Sequence, residues 1–378
     1  MADFDMLIRA ERVFCAATGI DGPGEIAVAG GRIATAGKKV GGRAGRVLEF
    51  PDGIAVPGLI DLHTHPAPDD WKYGIGPDRL VLPRGTTTIM SQGDPGAANW
   101  NRYMEHVIRP SKTRVLVALS VSRNGEEPPG YCFENPEDLD VEAAVSAINS
   151  NPGSIWGVSV NVSSAATGKA DPGMVMEHAL EIAESTGRPI MFGNRWEPYD
   201  WPIAEQMALL RPGDVITYCF HKGPNNILDA NGRILNAVRD ARDRGVLFDI
   251  GHGMASFDFA VAEAAIAQGF LPDTISTDQY KRHTGLRPRH DLPRTISKLV
   301  AAGMALEEAL TRTTLRPAKV LGMEGEIGVL APGACADIAV LRWNHAAQAL
   351  ADVSGAVRPG PVLEAVATIR EGQVVGGG

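Results

Sequence analysis

His63 and His65 end the run Val56-Pro57-Gly58-Leu59-Ile60-Asp61-Leu62-His63-Thr64-His65. In a β-strand, residues i and i+2 face the same side, so the two imidazoles can converge on one metal ion. Imidazole nitrogen suits zinc, iron and nickel. A bare HxH pair reads equally as two packed histidines. The apolar strand and the Pro-Gly turn before it tip this pair toward a site. The run Ile275-Ser276-Thr277-Asp278 supplies a second feature. A carboxylate at a strand end can bind the same metal and accept a proton from water. Alone, such an Asp serves as often as a helix N-cap or a loop ion-pair partner. Opposite the histidine pair it reads as a site residue.

These residues need a scaffold that brings distant strand ends together. Short apolar runs fall at 59–65, 86–93, 114–121, 155–162, 189–194, 214–220, 247–253 and 274–279, with helical stretches such as 173–185 and 258–268 between them. In the second stretch residues 259, 261, 262 and 266 form an apolar stripe. Eight β/α alternations over about 250 residues have the rhythm of an α/β (β/α)8 TIM barrel. A doubly wound sheet has fewer units and often a Gly-rich first turn. No GxGxxG or P-loop pattern follows any run, so a nucleotide site has no local support. Short strands at 6–13, 25–29 and 32–35, and again at 336–341, 362–369 and 373–375, predict one small β-domain built from both ends. The expected division is 1–57 for the first part of that domain, 58–324 for the barrel and 325–378 for the second part.

Barrel chemistry sits at the C-terminal ends of the strands. Of nine histidines, six fall there: His63, His65, His221, His252, His283 and His290. His106, His178 and His345 read as surface or packing residues. With 45 acidic and 36 basic residues the formal net charge is −9, which disfavours a duplex-DNA binder. No apolar run approaches the roughly 18 residues that suggest a membrane span. The opening Met1-Ala2-Asp3-Phe4-Asp5 lacks a signal-peptide layout. Four cysteines without a CxxC pair fit a reduced, cytoplasmic protein.

The HxH pair, the strand-eight Asp and the ending Thr314-Leu315-Arg316-Pro317-Ala318-Lys319-Val320-Leu321-Gly322, followed by Pro332-Gly333-Ala334-Cys335-Ala336-Asp337-Ile338, resemble the amidohydrolase superfamily. The stretches Phe248-Asp249-Ile250-Gly251-His252-Gly253 and Asp291-Leu292-Pro293-Arg294-Thr295 look like its dihydroorotase-like, deacetylase-like branch. The resemblance covers nearly the whole chain. It implies a barrel with a composite β-sandwich domain, and metal ligands at His63, His65 and Asp278. It also implies a homo-oligomer, because such relatives often associate. Three usual ligand positions depart from the family: the strand-four Lys falls at Ser159, the strand-five His at Met191 and the strand-six His at Tyr218. None of these three is a good zinc ligand. The expectation is therefore one divalent metal ion, zinc first, and no binuclear centre of the usual kind. Asp94 stands near where some deacylase relatives carry a Cys ligand, and also reads as a turn Asp before Pro.

The resulting reading is a metal-dependent hydrolase that attacks a carbonyl carbon with activated water. Asp278 would act as general base and acid, and Tyr218, His221 or His252 would steady the oxyanion. Arg195, Lys222, Lys281, Arg282 and Arg287 lie in loops after runs five, six and eight, where some could bind a carboxylate; Ser159 joins Arg195, Lys222 and Arg282 in the expected substrate set. Trp71, Trp100, Trp196 and Tyr199 could wall an apolar pocket. The substrate expected is a small acidic amide, cyclic amide, imide or ester, with no nucleic acid or membrane partner. A metal-free acid–base enzyme and a non-catalytic binding relative are the alternatives. Cys219 reads as a packed residue.

Overall fold

The computed structural model describes residues 2–127, 131–133, 135–346 and 349–376. The N-terminal strands are β1 (Phe4–Cys15), β2 (Ile20–Ala29), β3 (Arg32–Gly37) and β4 (Ala44–Pro57). The barrel strands are β5 (Leu59–Thr64), β6 (Thr86–Gln92), β7 (Arg114–Ser120), β8 (Ile155–Asn161), β9 (Ile190–Gly193), β10 (Val215–Thr217) and β11 (Leu247–Phe248). The C-terminal strands are β12 (Ile338–Asn344), β13 (Leu350–Ala351), β14 (Val357–Arg358), β15 (Val362–Arg370) and β16 (Gln373–Gly376).

β5 to β11 pair in parallel, in chain order. The eighth run is too irregular to count as a strand, yet it closes the curl. Asp249 bridges Thr274 on one side and Thr64 bridges Gln279 on the other. Asp278 N–H donates to His63 O at 2.7 Å, and His65 N–H to Gln279 O at 3.0 Å. This closure puts Asp278 beside the histidine pair, 213 residues from His65 in sequence.

The expected sandwich takes the form of one seven-stranded sheet, β16-β15-β12-β4-β1-β2-β3, so both chain ends meet in it. β4 is the strand that sequence periodicity did not single out. Its first half is partly exposed, and Pro51-Asp52-Gly53 at its middle is a turn-like signal within a strand that runs through it. Met6, Ile8, Val28, Ile33, Ile338 and Ile369 fill a separate core under this sheet.

Inside the barrel a third core takes Ile60 and Leu62 from β5, Met90, Ala118, Trp156, Met191 and Val215 from the next five strands, and Ala318 from the helix Leu315–Val320. Strict alternation would then send His63 to the opposite face from Leu62. The β5–β6 register shifts between Asp61 and Thr64. Such an irregularity inserts the extra residue that re-aims a side chain. It lets His63 and His65 face inward above Leu62.

Candidate active site

Asp61 anchors the strand that presents the histidines. It is buried, accepts from Thr277 Oγ1 at 2.6 Å and Thr277 N at 3.0 Å, and so ties β5 to the eighth run. Burial raises its pKa to about 7, against hydrogen bonds that lower it.

Above Asp61 three ligand atoms converge. His65 Nε2 lies 3.2 Å from Asp278 Oδ1, and His63 Nε2 lies 3.5 Å from the same oxygen. His63, His65 and Asp278 keep these atoms within 4.8 Å of one another. The other nitrogen of each ring has a fixed partner. His63 Nδ1 lies 2.8 Å from Thr217 Oγ1, and Thr217 Oγ1 donates to Asp249 Oδ2 at 2.9 Å. The hydroxyl proton is therefore spent, so His63 must carry its proton on Nδ1 and present a lone pair at Nε2. Asp249, held by Thr217, Ser276 and Thr274, completes this chain. His65 Nδ1 lies 3.1 Å from Asp94 Oδ1, which fixes the same tautomer in the second ring. Ser91 Oγ in turn donates to Asp94 Oδ2 at 2.5 Å. A metal-ligating histidine is oriented in this way by the acceptor on its far nitrogen.

Glu126 brings a further carboxylate. Its Oε2 lies 3.2 Å from His65 Nδ1, but the hydrogen bond of that nitrogen goes to Asp94. Glu126 Oε2 is thus buried with no hydrogen-bond donor. Three carboxylates around one imidazole set its charge. Burial opposes protonation of His65, but Asp94, Glu126 and Asp278 outweigh it and hold its pKa well above the usual value. His63 goes the other way: burial and then the charge on His65 push it well below. Burial raises Asp278 to about 6, partly offset by His65.

Two non-glycine residues here have positive φ, Tyr218 at 67° and Asp278 at 48°. Such conformations cost of order 1 kcal/mol or more and cluster at functional sites. Tyr218 OH lies 3.5 Å from His63 Nε2, and burial holds its phenol protonated, well above pKa 10. Gly253, at φ 46°, has no room for a side chain, because a Cβ would collide with Asp278 Oδ2.

A cavity of about 190 Å³ opens above this cluster, lined by His65, Glu126, Asp278 and Tyr218 at its base and by Tyr73, Tyr280, Trp196, Met254, Asn161, Ser163, Ala165, Ala255 and Ser256.

The remaining residues expected at the site are placed as follows. His221 is buried under Trp196; its Nδ1 accepts from Gly223 N at 2.8 Å and its Nε2 lies 3.1 Å from Asn225 O, so it organises a loop. Burial lowers its pKa to about 4. His252 is buried with its Nδ1 2.8 Å from Gly253 O, and its Nε2 2.7 Å from Lys298 Nζ. Arg195 forms a two-pronged ion pair with Asp200, at 2.6 and 2.8 Å. Lys222 is exposed, 3.7 Å from Asp258, Lys281 donates to Asp69 O, and Arg282 is exposed in the turn Lys281–His283. None of these four bases lines the cavity. Ser159 is buried opposite Gly93, one strand position below Asn161 on the cavity side. Met191 is fully buried in the barrel's apolar core, away from the ligand atoms. Trp196 lines the cavity, whereas Trp71 and Trp100 pack around Tyr103 and Tyr199 is exposed. Cys219 is buried, and burial raises its thiol well above 9.

Sequence reasoning missed Asp61, Glu126, Thr217 and Asp249. Asp61 had a signal, since it stands two residues before His63. Glu126 had none, because it reaches the site from an irregular loop after β7.

Residues 284–376 match the model of an amidohydrolase family. The chain is 33% identical over 311 residues to a deacetylase of Brucella anthropi, covering 79% of this chain and 75% of that protein. The solved structure of an adenine deaminase superposes with a TM-score of 0.89 at 28% identity, covering 98% of this chain and 99% of the other. That of a dihydroorotase gives 0.85 at 28% identity, covering 98% of each chain.

Proposed function

We propose, from the premise that this chain belongs to the amidohydrolase family, that it hydrolyses the C–N bond of a small amide or cyclic amide, with one divalent metal ion held by His63, His65 and Asp278. One observation carries the reading: His63 Nε2, His65 Nε2 and Asp278 Oδ1 converge while Thr217 and Asp94 fix both imidazole tautomers. The donor set fits a cation. Three carboxylates surround His65, and Glu126 Oε2 is buried without a donor. Two imidazoles and a carboxylate suit zinc and leave a coordination position open. Bound there, the metal would lower the pKa of water and polarise a carbonyl.

The chain's own groups supply the rest. Asp278 accepts a proton from water and returns it to the leaving nitrogen. Tyr218, kept protonated by burial, offers its O–H to the oxygen that gains charge. Tyr73, Trp196 and Tyr280 wall the cavity and exclude water. The lining supports a neutral or amine-bearing substrate in place of the acidic one expected from the sequence. Among the described residues its carboxylates are Glu126 and Asp278, and none of its lining residues is Lys or Arg. At about 190 Å³ the cavity also favours a small molecule.

The test pairs metal analysis of the purified protein with turnover of a panel of neutral, cationic and anionic amides. The expected result is about one transition metal per chain, lost in His63→Ala together with all turnover. Full activity in a protein stripped of metal would overturn the reading.

A further inference from the structure

A second cavity, larger than the first, lies where the loops after β5 and after the eighth run meet the edge of the terminal sheet. Its volume is about 760 Å³, within the range of ordinary ligand pockets. Five guanidinium groups line it: Arg79, Arg84, Arg287, Arg289 and Arg294. Among the described residues two carboxylates do so, Asp291 and Glu364, giving these lining side chains a formal charge of 5 − 2 = +3 in a chain of −9.

Both carboxylates have other work. Asp291 caps the helix Leu292–Ala301 by accepting from Arg294 N at 3.0 Å, and Glu364 accepts from Asn344 at 3.1 Å. Arg84 approaches Asp291 only to 4.0 Å and reaches His290 O at 3.5 Å. Among the described residues, Arg79 and Arg289 make no ion pair. Burial lowers the pKa of Arg84, Asp291 opposes this, and Arg289 and Arg287 repel it further. An anion bound among these groups would offset the repulsion that Arg84 feels from Arg287 and Arg289. Val362, Leu363 and Pro288 give the cavity an apolar wall beside the charged one.

We propose that this cavity binds a small phosphate-bearing molecule. Arginine forks match phosphate oxygens, and several forks around one cavity suit a compact dianion. A nucleic-acid strand is a poor occupant, because the positive charge is confined to one cavity of an acidic protein. The bound anion would brace the loop that runs from Asp278 through Tyr280 to Asp291, linking this cavity to one wall of the catalytic one.

Isothermal titration of the full-length protein with inorganic phosphate tests the assignment. Saturable binding of one phosphate per chain is expected. The double variant Arg79→Ala/Arg289→Ala should weaken it at least ~10-fold, equivalent to 1.4 kcal/mol. Both residues are exposed, so the variant should keep the wild-type circular dichroism and melting temperature. Arg289→Glu alone should weaken binding in the same direction. His63→Ala should bind phosphate as the wild type does, which separates this cavity from the catalytic one. The proposal is overturned by absence of saturable binding, by equal affinity in the arginine variants, by loss of binding in His63→Ala alone, or by citrate binding as tightly at matched ionic strength.

Discussion

Two groups of buried histidines share the mouth of this barrel, and they have opposite electrostatics. In the first, His63 and His65 point their Nε2 atoms at one carboxylate, and further carboxylates crowd His65. In the second, His283 stacks on His290 with ring centroids 4.1 Å apart, and His252 packs at a tilt against His290 at 4.9 Å. There the rings meet backbone carbonyls and a lysine. His290 Nε2 lies 2.8 Å from Thr277 O, and Lys298 Nζ lies 2.7 Å from His252 Nε2. Burial pushes all three of these histidines down, to about 4 for His283 and well below 6.5 for the others. The residue type is the same, but only the first group sets its imidazoles in front of anionic charge, where a cation can take the place of the His65 proton. What faces the second nitrogen of each ring decides between metal cup and packing.

The largest effect that could break this comparison is on the first group. His63→Ala or Asp278→Asn should abolish measurable turnover and, for His63→Ala, bound metal; wild-type rates in either variant would refute the assignment. Tyr218→Phe removes one donor to the developing oxyanion and should lower kcat by roughly 10²–10³ with metal content unchanged. An unaltered kcat would make Tyr218 a packing residue. Asp94→Ala frees the His65 ring and should weaken metal affinity by about 10–100-fold, read by competition with a chelator. Unchanged affinity would remove Asp94 from the site.

The acid limb of the pH profile sharpens the same comparison. Asp278 must be ionised to hold the metal and to accept a proton, so kcat/KM should fall on the acid side. The cation favours the carboxylate that burial alone raises to about 6, so metal should move this limb to lower pH. A limb that does not move with metal would remove Asp278 from the ligand set.

The smallest effect on turnover belongs to the second group. Lys298 is lowered from 10.5 to about 7 by burial. Between those values the unfolded chain binds the extra proton, so this group makes stability rise with pH from about 7 to 10.5 and contributes no slope below about 7. In Lys298→Met that rise should vanish from melting temperatures measured across the window, with turnover little changed. An identical slope in both proteins would mean that Lys298 stays charged in the fold.

Much of this was legible in the residues. The runs at 59–65, 86–93, 114–121 and 155–162 match β5 to β8 within a residue or two, because apolar β-branched segments between turn signals have few other ways to bury themselves. The helices at Pro172–Thr186 and Phe259–Ala267 carry Asp caps at 171 and 258 that fit the expected stretches. The loops were less legible. Arg195 reads as a free cation in sequence, but Asp200 lies within reach once the loop turns. Glu126 carries no signal in the sequence, and the loop after β7 brings its carboxylate to His65.

The sequence by itself determined the barrel rhythm and the strand that ends in two histidines, local facts written in periodicity and residue type; the departures at Ser159, Met191 and Tyr218 are what its resemblance to the family implies. Only the tertiary structure decided which histidines meet carboxylates, which arginines are already paired and where five of them gather. Those outcomes depend on distances between segments up to 200 and more residues apart, set by barrel closure and loop packing. Hydrogen bonds need contact, and Coulomb energy weakens with distance and solvent screening, so closure and packing fix which charges interact.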